Sequence, residues 1–73
     1  MKKIELLDAV ALTEDMPEHN LHRGQVGTVV EVFNGGEAFE IEFADLNGRT
    51  YEMLAVVPSK LMVLQYEPEA IAA

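Results

Sequence analysis

The clearest periodicity in the chain is the strict alternation of residues 38–43, where Phe39, Ile41 and Phe43 take one face and Ala38, Glu40 and Glu42 the other. Side chains of an extended backbone project to opposite faces with a period of two, so this segment predicts a half-buried β-strand. Ahead of it, residues 26–33 (VGTVVEVF) are dense in the β-branched residues that suit a pleated backbone. Behind it, residues 50–57 carry an unbroken apolar run, MLAVV, which predicts a strand covered on both faces, by the core and by a partner. Residues 8–13 (DAVALT), with Val10 and Leu12 pointing one way, and residues 61–65 add a first and a fifth strand. In residues 1–8 the apolar Ile4, Leu6 and Leu7 are too few to separate a helical turn from the start of a strand.

Between these segments the punctuation is that of tight turns. Gly24 and Gly27 can take positive φ or let another backbone approach closely, and a bend into the following strand is reason enough for both. Asn34, Gly35 and Gly36 close a hairpin, and Gly48 is placed at the left-handed position of a bulged turn in DLNGR. Pro58, Ser59 and Lys60 predict one turn of 3₁₀ helix. Residues 14–23 form a long polar loop: Pro17 donates no amide hydrogen, Asn20 and Gly24 are turn formers, and Leu21 alone anchors the middle to the core.

Two registers fit the first hairpin. A loop of Asn34 and Gly35 pairs Val30 with Phe39 and Val32 with Glu37; a loop of Gly35 and Gly36 pairs Val32 with Phe39 and sets Glu31 against Glu40. Both turn Thr28, Val30 and Val32 inward, and the first is preferred because the second opposes two like charges. In the second hairpin a two-residue Asn47-Gly48 loop would put Phe43 across from Glu52 on a buried face. A three-residue loop, Leu46-Asn47-Gly48, instead pairs Phe43 with Tyr51 and Ile41 with Met53, with Asp45 facing Arg49.

The chain of 73 residues has room for one domain, taken as residues 1–66, followed by a tail at 67–73 that begins near Pro68 and whose Ile71 could dock on a neighbour. A chain this short buries only about 60% of the surface it exposes when unfolded. It has no cysteine, so neither disulfides nor thiolate metal sites can supplement the core. Oligomerisation remains as the expected supplement, and a cysteine-free composition fits the cytoplasm. No apolar run is long enough for a membrane span, and no apolar stretch of signal-peptide type follows Lys2 and Lys3. Thirteen acidic against five basic residues give a formal charge of −8, a field that repels nucleic acid and anionic membranes and attracts a basic surface.

Five short strands, a long first loop, two tight hairpins and a proline-centred turn predict an all-β fold, a small SH3-like barrel. The segment RGQVGTVVEV, Arg23 to Val32, resembles the KOW motif of ribosomal and transcription-elongation proteins, in which glycines at this spacing precede a valine-rich strand of such a barrel. Over about Leu7 to Glu67 the sequence is also similar to a family of short bacterial proteins, common in cyanobacteria, classed as a domain of unknown function. The resemblance rests on VALTEDMPE, LHRGQVGTVVEV, FEIEFAD, GRTYEMLAV and LMVLQYE. It implies the fold and no activity. The KOW likeness implies RNA, but Glu31, Glu40 and Glu42 oppose the phosphate neutralisation that RNA affinity requires.

His19 and His22, near Asp15 and Glu18, lack the spacing of a metal motif and fit a solvated loop. Nothing places a base beside a nucleophile, so no enzyme and no cofactor is expected. After the register is assigned, Val29, Glu31, Phe33 and the hairpin-tip Leu46 face outward and form the candidate interface, with the alternative that strong coiling of the strand carries Val29 into the core. The expectation is a non-enzymatic acidic interaction module that self-associates and whose acidic surface engages a basic protein, in one version a small neutralising protein of antitoxin-like or immunity-like kind. The rival class is a KOW-like RNA- or ribosome-associated module.

Overall fold

The structure is a computed structural model that describes residues 3–65. It is all-β: β1 (Ala9–Leu12), β2 (Val26–Phe33), β3 (Ala38–Ala44), β4 (Thr50–Val56) and β5 (Leu61–Val63) form one antiparallel sheet in the order β4-β3-β2-β1-β5. Single 3₁₀ turns occupy Pro17–His19 and Pro58–Lys60. The sheet wraps around a core of Val10, Leu12, Met16, Leu21, Val29, Phe39, Ile41, Phe43, Val56 and Leu61, and among the described residues no further strand pairs with its edges β4 and β5, so the wall is not closed. The expected tail at 67–73, with Ile71, lies outside the described residues.

The first hairpin departs from the preferred register. Val32 pairs with Phe39 and Glu31 with Glu40, the like-charge arrangement; an extra residue at Val30 then shifts the ladder so that Val29 faces Ile41 and Thr28 faces Glu42. Burial explains the outcome. Opposing these two carboxylates costs about 0.2–1 kcal/mol, whereas turning Thr28 inward in place of Gly27 would overpack the core beside Ile41 Cγ2 at a cost of about 1–3 kcal/mol. The bulge gives the core Val29, 0% exposed, in place of Val30. The connection is four residues long, between paired Phe33 and Ala38, with Asn34, Gly35 and Gly36 all at positive φ.

Of the two glycines that open β2, Gly24 is a turn residue with φ +92° and open space around it. Gly27 serves packing instead. It pairs with Val10 across β1, and a Cβ there would lie 2.5 Å from Ile41 Cγ2 and 2.9 Å from the Glu42 carbonyl oxygen.

The second hairpin has the expected three-residue loop. The Asp45 amide donates to the Arg49 carbonyl at 2.9 Å, the Gly48 amide to the Asp45 carbonyl at 3.0 Å, and Gly48 sits at φ +80°. The register beyond it differs from expectation. Tyr51 is bulged between the pairs Ala44–Thr50 and Phe43–Glu52, so Ile41 faces Leu54 rather than Met53. Glu52 is tolerated opposite Phe43 because the pair lies near the end of the core: its carboxylate accepts from the Met53 amide at 3.0 Å and sits 3.5 Å from His19 Nδ1. Tyr51 still packs near Phe43, with ring centroids 6.4 Å apart.

The long loop is more ordered than its polarity suggests. Met16 and Leu21 pair as an antiparallel bridge, with both amides donating to the other's carbonyl at 2.9 and 3.1 Å, and the left-handed Asn20 turns the chain between them. Leu21 anchors the loop as expected, and Met16 joins it in the core. The segment before β1 resolves into a turn at Leu6 and Leu7, whose second residue has φ +71° and whose amide donates to the Val29 carbonyl at 2.7 Å. That bond holds the turn against β2.

Candidate interaction surface

Directly opposed residues of an antiparallel ladder share a face, so the register sorts the sheet into rows. With Val10, Leu12, Val29, Ile41 and Leu61 in the core, the outer face carries Met62, Ala11 and Val26 in one row. Ala9, Thr28, Glu42 and Met53 make a second row, and Glu31, Glu40 and Ala55 a third. The outer face is thus split: the β5-β1-β2 side is uncharged and largely apolar, and the β2-β3 centre is acidic.

Glu31 and Glu40 are Cα partners, and Glu42 follows two residues along β3 on the same face. Glu42 accepts a hydrogen bond from Thr50 Oγ1 at 2.9 Å. Among the described residues neither Glu31 nor Glu40 forms an ion pair; Lys60 pairs with Glu14 at 3.5 Å, and the His19 imidazole lies near Glu52.

The candidate interface read from the sequence does not hold together as one patch. Val29 belongs to the core and leaves it. Phe33, half-buried, pairs with Ala38 at one end of β3, whereas Leu46 stands fully exposed in the turn beyond Ala44 at the other. Six residue steps of about 3.3 Å put these two about 20 Å apart. Glu31 and the half-buried Phe33 keep their outward place on β2, Leu46 stands apart from them, and the structure sets Glu40 and Glu42 beside Glu31. The like-charge pair was visible in the rejected register, so the signal for this cluster was present in the sequence.

The loop histidines separate: His19 approaches Glu52, while the His22 amide donates to the Gln25 side chain. Arg23 of the KOW-like segment donates its amide to Asp15 Oδ1 at 2.8 Å. Among the described residues no group of three or more His, Cys, Asp or Glu side chains is arranged to hold a metal ion, and no helix is long and apolar enough to cross a membrane. An apolar cavity of about 440 Å³ opens between the first hairpin turn and the Pro58–Lys60 turn, lined by Ile4, Phe39, Leu61 and Val63 with Lys3 at its margin.

Comparison with curated proteins and with solved structures finds no match. A family model, Domain of unknown function (DUF4926), matches residues 6–63, which take in all five strands and the long loop. The chain therefore belongs to the DUF4926 family.

Proposed function

We propose that this protein is a small, non-enzymatic interaction module of SH3-like architecture, working in the cytoplasm, whose acidic outer face engages a basic segment of another protein. The observation that carries the reading is Glu31 set directly against Glu40, with Glu42 beside them and no ion pair on the first two among the described residues. Opposed like charges weaken a ladder, and a lysine or arginine supplied in trans relieves that repulsion while adding charge-assisted hydrogen bonds. The net charge of −8 acts in the same direction by steering a cationic partner toward the domain. A small protein that neutralises a basic toxin or effector is one concrete form of such a module.

The test is an NMR titration of the isotope-labelled chain with an arginine- and lysine-rich peptide at several salt concentrations. Shift changes confined to Glu31, Glu40, Glu42 and their neighbours are expected, abolished by Glu31→Gln with Glu40→Gln and preserved in Glu14→Gln with Glu18→Gln. Changes spread evenly over all acidic positions would reduce the effect to bulk charge and overturn the site. Binding to RNA that weakens steeply with salt would replace this reading by the RNA-associated one.

A further inference from the structure

Among the described residues the two edges of the sheet carry no partner strand, and they are unequal. β5 is three residues long and β4 seven. Long exposed edges are templates for further pairing, and proteins usually blunt them with short strands, lysines or prolines. β4 and the residue after it, TYEMLAVV, contain neither lysine nor proline and a single charge, Glu52. That carboxylate is folded back onto the Met53 amide at 3.0 Å. A Met53 N–H bound by its own neighbour's side chain is directed away from β3, and by the two-residue period of the ladder the Ala55 N–H is as well.

We propose that β4 is a self-association edge, on which a second copy of this chain pairs antiparallel about a twofold axis at Ala55. The choice of a second copy rests on the edge's own complementarity. An axis at Ala55 sets Met53 opposite Val57 of the other copy and Leu54 opposite Val56, so MLAVV meets itself with no charge inside the contact. Met53 and Val57, each 44% exposed, cover one another. Glu52 falls opposite Pro58 rather than another carboxylate, and its bond to the Met53 amide is exchanged for a ladder bond. An axis at Glu52 would oppose like charges, and one at Tyr51 would fall on the bulge. The contact is an edge rather than a broad face, which makes the dimer weak and concentration-dependent.

This surface is separate from the acidic row, and its salt response has the opposite sign. Two protomers of charge −8 repel, so salt strengthens the dimer, whereas salt weakens capture of a basic segment. The experiment is sedimentation velocity of the full chain up to about 100 µM, at low and high sodium chloride. A dimer that grows with concentration and with salt is expected, and it is lost in both Met53→Lys and Ala55→Pro. Met53 is an exposed side chain, so its lysine variant keeps the test valid even if the proline variant fails to fold; circular dichroism checks both. A wild-type chain that stays monomeric throughout overturns the proposal and leaves the edge to a strand of some other protein. A dimer that survives Met53→Lys in the folded protein overturns it equally, because the contact then lies elsewhere.

Discussion

Gly27→Ala tests the packing argument at its tightest point. The new methyl carbon would sit 2.5 Å from Ile41 Cγ2, 2.9 Å from the Glu42 carbonyl oxygen and 3.1 Å from Phe43 Cδ1. None of these atoms retreats easily, since Ile41 and Phe43 are fully buried and the carbonyl belongs to β3. Overpacking of this kind costs about 1–3 kcal/mol. Gly27 does not have a positive φ, so alanine recovers about 0.4–1 kcal/mol by restricting the unfolded chain. Two contacts under 3.0 Å, one of them with backbone, place the overpacking in the upper half of its range, so the net loss is about 1–2 kcal/mol, to be set against a total stability of about 4–11 kcal/mol for a chain of this size. At about 4–8 °C per kcal/mol, Tm falls by about 5–15 °C. Thermal melts followed by circular dichroism measure this directly, with Gly24→Asn as the control. Gly24 has φ +92° and no neighbour within 4 Å, and asparagine visits the left-handed region, so the control loses no more than about 1 kcal/mol. A Gly27→Ala protein melting within about 2 °C of wild type would refute the reasoning, because the sheet would then yield where it is argued to be rigid.

Three further substitutions follow from the same geometry. Leu21→Ala removes the buried anchor of the long loop and lowers stability by about 2–5 kcal/mol, read as a drop in the urea midpoint. Glu40→Gln relieves the repulsion with Glu31 and raises stability by about 0.2–1 kcal/mol; melts at low and high salt should show the gain shrinking as salt rises. Leu46→Ser, at a fully exposed hairpin tip, changes stability by less than about 0.5 kcal/mol, and a larger loss in the urea midpoint would show that the tip is covered in solution.

Strands and turns were legible because each is written locally. The Phe39-Ile41-Phe43 alternation, the Pro58 turn and the left-handed Gly48 need only neighbouring residues to be understood, and all three stand where the pattern puts them. The registers were not legible, because each turns on a bulge. In VGTVVEV the two phases are degenerate: Thr28, Val30 and Val32 read as inward just as well as Gly27 and Val29. What separates them is tertiary, the space at Gly27 that Ile41 fills. A cue was nonetheless present. Gly27 and Val29 inward would carry Glu31 into the core under strict alternation, so that phase demands an inserted residue between Val29 and Glu31. Tyr51 escaped for the same reason, and Phe43–Glu52 looked forbidden only while the ends of the core were treated like its middle. The patch of Val29, Phe33 and Leu46 dissolved once one bulge moved Val29 inside and the length of β3 separated the other two.

The bulge at Val30 has one further property. Val29 pairs with Ile41, and Glu31, Val32 and Phe33 pair with Glu40, Phe39 and Ala38. Excising Val30 would leave each of these partnerships intact and return the ladder to perfect regularity, with the same residues inside and outside. What would vanish is the extra coil that a bulge imposes on its strand. Curvature and pairing are therefore encoded by different residues in β2: the flanking positions say who meets whom, and one valine says how sharply the wall bends. A one-residue deletion there becomes a way to flatten the sheet without rewriting its contacts, and to ask how far that bend, rather than the pairing, brings β4 and β5 toward one another.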